Sequence, residues 1–449
     1  MFNMFLLVAY FLRFVLMLTR RSSFAFVVLL LLSACQKHTE TPISNSPAKA
    51  NKAASANKIW VDYPKEDTPL SPEAQLGKQL FFDATLSASG KMSCATCHQP
   101  DHAYAPANHL AVQLGGSDMQ QPGTRAVPSL RYLGFTPKFT RHFYLPASEG
   151  LEDEGPTGGF THDGAVDSLS KQAAIPLLAA NEMANLTAVS FTEKLQHSPV
   201  VAEFLKVFGE NALNNPELAL AKAGDALEAF ETEDFSFHPY SSKFDAVVSG
   251  EAQLTESESR GFIVFHDPSK GNCAKCHIDR VGGGGRPAQF TDFGFEAIGA
   301  PRNTEIPANK NPVYFDLGLC GPVRKDLSQE TSYCGMFKTP TLRNVATRQV
   351  FLHNGVFKSL DDVIHFYAER DSKPEKWYLK THGKIELYND LPKKYRNNVD
   401  HITAPFNRKK TSDTVMTEAE MQDLLAFLKT LDDGYRKTTT QSTPSKAAN

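Results

Sequence analysis

Long blocks of like charge are absent from this chain. The net charge is -3 at pH 7 over 449 residues, the pI is near 6.5, and acidic and basic residues are interspersed. A phosphate backbone calls for a concentrated cationic face, so a nucleic-acid role is excluded. The short basic clusters Lys393-Lys394 and Arg408-Lys409-Lys410 read as solvated surface. Strand-like alternation is scarce as well, which argues against a fold built on sheets. The apolar run from Phe24 to Leu32 is too short to span a bilayer comfortably.

The N-terminal end has its own pattern. Thr19-Arg20-Arg21 is a basic stretch ahead of that apolar run, and Leu32-Ser33-Ala34-Cys35 is similar to a bacterial lipobox, whose cysteine becomes the lipidated terminus. Residues 1–34 are then a signal peptide. Residues 35–57, rich in Ser, Ala, Asn, Lys and Thr, are a flexible tether, and residues 437–449 a disordered tail. The expected setting is the periplasm, with a lipid on Cys35 as membrane anchor. The apolar stretch from Met1 to Met17 fits either an extension ahead of a true start at Met17 or a non-cleaved anchor.

Cys-x-x-Cys-His occurs twice, as Cys94-Ala95-Thr96-Cys97-His98 and Cys273-Ala274-Lys275-Cys276-His277. In a c-type haem site two thiols add to the porphyrin vinyl groups and the adjacent histidine ligates iron. Two zinc knuckles are the alternative for cysteines so spaced. The copies share a lead-in: Leu70, Gly77 and Phe81 recur at the offsets of Leu254, Gly261 and Phe265. Ser71 and Thr255 read as helix N-caps, Pro72 suits a first helical position, and Thr255 with Glu258 forms a capping box. An internal duplication of a helix leading to a haem loop follows, and with it two covalently bound c-type haems.

Of seven cysteines, Cys35 and the four motif cysteines leave Cys320 and Cys334. In an oxidising compartment these are expected to form a disulfide, two buried thiols being the alternative. Helical signals dominate the body. Asp167 to Ala180, Pro216 to Phe230, Leu360 to Glu369 and Thr417 to Leu431 have apolar residues at helical spacing, and Gly/Pro-rich loops separate them. The expected fold is all-α, with two cytochrome c-like haem domains and long loops, residues 58–245 and 246–436.

Together with the two motifs, Thr161-His162-Asp163-Gly164, Asn181-Glu182-Met183, Thr341-Leu342-Arg343-Asn344-Val345, His353-Asn354-Gly355 and Ala426-Phe427-Leu428 carry a resemblance. From about residue 58 to 436 the chain resembles the bacterial di-haem cytochrome c peroxidase family, including its MauG-type branch. The resemblance implies a peroxidatic haem held by His98 and an electron-transfer haem held by His277. It makes Glu182 the acid–base group and Tyr367 the second ligand of the His277 iron, where ordinary members have methionine and MauG-type members tyrosine. Met336 is the nearest alternative thioether. His162 stands where many members place an inter-haem tryptophan, and is expected to act as a pH-dependent hydrogen-bonding group, with iron ligation as a lesser alternative. The loop before Pro128 has no histidine where ordinary members carry a displaceable ligand; Asp118 and Met119 stand nearby. His353 is expected to support the second haem site.

Calcium is left open, since Ala126 occupies the place of a family asparagine. The implied activity is reduction of hydrogen peroxide with electrons from a small redox protein, a cytochrome c or cupredoxin. A MauG-like peroxide-dependent oxidase and a non-catalytic electron carrier are the alternatives. Such proteins are often homodimers, but no interface is legible in the sequence.

Overall fold

Ser71 opens the first helix, Pro72–Phe82 (α1): its hydroxyl accepts from the Ala74 amide, and Pro72 fills a first-turn position where no amide is needed. The computed structural model describes residues 65–147, 150–282, 285–410 and 412–436. The signal, Cys35, the tether and the tail lie outside the described residues. A one-turn helix Cys94–Cys97 (α2) follows α1, then Leu169–Leu178 (α3), Ala188–His197 (α4), Val201–Phe208 (α5) and the long Pro216–Glu233 (α6). The chain continues through Lys243–Val248 (α7), Glu256–His266 (α8), Leu360–Glu369 (α9) and Glu418–Lys429 (α10). Thr255 and Glu258 exchange both hydrogen bonds of a capping box ahead of α8, and Thr417 and Glu420 do the same ahead of α10.

The all-α expectation needs amending to mostly helical. Four two-stranded antiparallel ribbons are present among the described residues, pairing Leu114–Gly115 with Gln121–Pro122, Tyr144–Ala147 with Gly150–Asp153, Phe295–Glu296 with Phe337–Lys338, and Lys380–Thr381 with Lys384–Ile385. Three of them are two residues deep, two formed where a loop doubles back and one joining segments distant in the chain. Such a ladder is too short to impose a period of two on the sequence.

The described residues belong to one compact unit. Within it lie two large hydrophobic cores. One is drawn from residues 76–237, with Phe81, Phe191, Phe204 and Phe230 at its centre; the other from residues 244–431, around Phe265, Phe290, Phe366 and Phe427. The same helix pair builds each. A Cβ on Gly77 of α1 would fall on the Ala226 carbonyl of α6, and a Cβ on Gly261 of α8 on the Asp423 carbonyl of α10. The recurring glycine of the duplicated lead-in is therefore the point where the backbones of two helices touch. Gly261→Ala is expected to lower stability by about 1–3 kcal/mol through forced helix separation, read as an earlier denaturant midpoint at unchanged haem content.

Candidate active site

Both motifs adopt the same local geometry. The His98 amide donates to the Cys94 carbonyl at 2.9 Å, and the His277 amide to the Cys273 carbonyl at 2.8 Å. Each imidazole then pairs Nδ1 with a backbone carbonyl at 3.0 Å, His98 with Tyr104 and His277 with Phe290. A carbonyl only accepts, so Nδ1 carries the proton and Nε2 presents its lone pair. Burial pushes both imidazoles down to about 4, which keeps them in the neutral form that ligates a metal.

All six motif residues line one cavity of about 950 Å³, with a wall rich in apolar side chains. The four motif thiols are free of disulfides, and burial pushes Cys94, Cys273 and Cys276 up to about 12 and Cys97 to about 11. Among the described residues, no three His, Cys, Asp or Glu side chains converge as a zinc or calcium site of that kind would require. Ala126, in the place of the family asparagine, offers a carbonyl that already accepts from His162 at 2.8 Å. Paired thiols, an oriented neutral imidazole and an apolar wall suit a tetrapyrrole at each motif. Cys320 and Cys334 are joined as a disulfide.

Glu182 stands on the first motif's side of the cavity, where its charge bears on both Cys94 and Cys97. Its backbone is fixed: the Glu182 amide donates to Ala179 at 3.0 Å and its carbonyl accepts from Gly116 at 2.8 Å. A Cβ on Gly115 would strike the Asn181 carbonyl, so the glycine loop lies directly against this turn. The carboxyl makes no side-chain hydrogen bond among the described residues, and burial raises its pKa. Tyr367, on α9, lines the cavity beside Cys273 and Cys276, with its ring 5.0 Å from that of Phe406. Burial holds its phenol well above the usual range, so only a nearby cation would yield the phenolate. Met336 packs instead in a small cluster with Phe295, Leu319 and Leu327. Asp118 is exposed and Met119 packs on the first core.

His162 lines the same cavity, and its Nε2 donates to the Ala126 carbonyl. Burial and the Arg125 guanidinium push it down to about 4, so it is a neutral donor through the neutral range rather than a switch within it. His353 stacks on Phe337 at 3.5 Å and pairs with Asp390 at 3.2 Å, bracing the cavity wall.

Sequence reasoning missed several charged cavity residues, Glu231, Lys338 and Arg348 among them. Glu231 is 7% exposed, and its Oε2 has no hydrogen-bond partner. It lies five residues after Ala226, the helix contact of Gly77; five after Asp423, the contact of Gly261, stands Leu428. The inward helical spacing of Leu227, Phe230 and Glu231 was the signal that could have exposed it. Burial, followed by Glu228, raises Glu231 to about 8. A carboxyl raised in the folded state contributes stability fully present below its unfolded pKa of about 4.3, and lost as pH rises through about 8. Glu231→Leu should therefore stabilise the holoprotein at pH 8 by roughly 2–4 kcal/mol relative to any change at pH 4, measured by denaturant unfolding at both. An equal effect at both pH values would refute this.

A helix-paired duplication around one cavity with two Cys-x-x-Cys-His sites defines a di-haem c-type protein. A family model described as di-haem cytochrome c peroxidase matches residues 71–253. Methylamine utilization protein MauG of Paracoccus denitrificans (strain Pd 1222) is 32% identical over 80% of this chain and 88% of its own length. Cytochrome c551 peroxidase of Nitrosomonas europaea is 27% identical over 65% of this chain and 71% of its own. Among solved structures, the diheme peroxidase BthA of Burkholderia thailandensis E264 is 36% identical with a TM-score of 0.73, covering 83% of this chain and 89% of that one. The chain belongs to the di-haem cytochrome c peroxidase and MauG family. It is an oxidoreductase of that type and carries two c-type haems.

Proposed function

We propose that this protein reduces hydrogen peroxide to water in the periplasm, with electrons from a small redox protein such as a cytochrome c or a cupredoxin. Hydrogen peroxide takes up two electrons and two protons and leaves as two waters. When bound, each haem supplies a one-electron centre, and one with a free coordination position also supplies a place for peroxide. The observation that carries the reading is Glu182, an unpartnered, half-buried carboxyl on the cavity side of the first motif whose pKa burial raises. It moves a proton from one peroxide oxygen to the other, which lets the O–O bond break with water as leaving group. The cavity's apolar wall keeps bulk water from competing for that proton. His98 and Cys94 with Cys97 hold the haem on this side; His277, Cys273, Cys276 and Tyr367 hold the other.

In this reading the two haem domains divide near residue 245, and a lipid on Cys35 tethers the protein. Among the described residues no helix is long and apolar enough to cross a membrane. Steady-state assays with peroxide and reduced cytochrome c or cupredoxin test the proposal; no turnover with any donor, at full haem loading and after prereduction, refutes it.

Tyr367 favours a second reading, a MauG-like oxidase that uses peroxide to oxidise a protein or a small molecule. Here peroxide disappears without a reduced donor, and mass spectrometry finds the co-substrate oxidised. Consumption strictly tied to donor oxidation decides for the peroxidase. A pure electron carrier would need both irons fully ligated, and a high-spin ferric resonance in the oxidised protein excludes it.

A further inference from the structure

Most buried guanidiniums in this fold face a carboxylate. Arg125 pairs with Asp163 and Asp316, Arg343 with Asp245, and Arg370 with Asp371. Arg348 is different. It lines the cavity, and its one side-chain hydrogen bond among the described residues runs to the Val127 carbonyl at 3.1 Å. Burial, unopposed by any carboxylate, pulls it down to about 10. Its charge bears on His98 and His162.

No carboxylate is paired with Arg348. Asp163 and Asp316 are both engaged by Arg125, and Asp163 is also the carboxylate whose field reaches Lys338, a second cavity-lining cation. The Lys338 ammonium donates to the Gly159 carbonyl at 2.5 Å. Neither of these carboxylates is engaged by Arg348. A guanidinium has five donors in a planar fork, so a single carbonyl leaves most of them unmet. Arg348 is half-buried, its unmet donors open on the cavity, and a carboxylate seated in the fork would meet them. Each tetrapyrrole of a c-type haem brings two carboxylate side chains into the cavity.

We propose that Arg348 is a positioning residue that clamps a carboxylate side chain of the tetrapyrrole held by Cys94, Cys97 and His98. This rests on the two-haem assignment and not on the peroxidase reading of the site. The clamp offsets the negative charge of that carboxylate and keeps it ionised through the neutral range. Without it, the uncompensated anion stabilises the ferric state, and its raised pKa couples reduction to proton uptake.

The test is potentiometric titration of both haems in the holoprotein of wild type, Arg348→Gln and Arg348→Lys across neutral pH. The Gln variant is expected to show a lowered potential at the His98 haem, with a new fall in potential as pH rises, and an unchanged His277 haem. The Lys variant keeps the charge and so guards against a fold that fails when the cation is lost; its shift is in the same direction and smaller. A purely structural arginine would not create a pH slope at one haem. Potentials and pH courses equal to wild type in both variants, or a shift confined to the His277 haem, overturn the proposal. Failure of peroxide turnover in wild type would bear on the proposed function alone.

Discussion

Glu182→Gln lowers kcat for peroxide reduction by about 10²–10⁴ while both haems stay attached and the fold is unchanged. The amide keeps the size of the side chain and its place on the turn fixed by Ala179 and Gly116, but it cannot take a proton from peroxide. The wild type should also show an acid limb. Its carboxylate must be ionised to act first as a base, and burial raises the pKa above the ordinary value of about 4.3. Activity therefore falls as pH drops through a point higher than that of an exposed glutamate, and the limb vanishes in the Gln variant. Rapid-mixing turnover across pH with a reduced cytochrome c checks both. A Gln variant with wild-type kcat would remove Glu182 from the chemistry.

Much of the scaffold was legible because it rests on local signals. Ser71, Thr255 and Thr417 cap helices with their own side chains, and Leu360–Glu369 has the bounds that its periodicity indicates. The shared Gly77 and Gly261 disclosed the duplication, although only the structure shows why glycine is needed, at two helix crossings. What stayed hidden depends on contacts distant in sequence. Arg348 looks like any loop arginine until it is seen to line the cavity with only the Val127 carbonyl as partner, while Arg125 holds both Asp163 and Asp316. Glu231 looks like one more acid on a charged helix until α1 closes over its face. His162 invites a reading as a neutral-pH switch, because the sequence does not show that it is buried, with Arg125 beside it. The ribbons escaped notice because two-residue ladders leave no period.

Tyr367→Phe is expected to convert a low-spin ferric haem to high spin, and Tyr367→Met to raise the potential of the same haem. The shift should be on the order of a few tenths of a volt, within the roughly 0.8 V that axial ligands span. Tyr367 is placed for this by α9, whose Ser359 cap and buried Leu360, Ile364 and Phe366 fix the helix against the second core. The phenol lines the cavity next to Cys273 and Cys276, and no side chain among the described residues hydrogen-bonds to it. The hydroxyl opens on the cavity, and a metal cation there is the partner that would overcome the burial that keeps the phenol protonated. Once ionised, it is a hard anionic donor that favours the ferric state, whereas a thioether favours the ferrous one. The two substitutions separate ligation from packing. Phenylalanine preserves the ring contacts with Phe366 and Phe406 and removes only the oxygen, so a low-spin signal that survives it would assign the ligand elsewhere. Methionine offers the iron a different sixth ligand, so a potential that fails to rise would show that position 367 does not reach the metal.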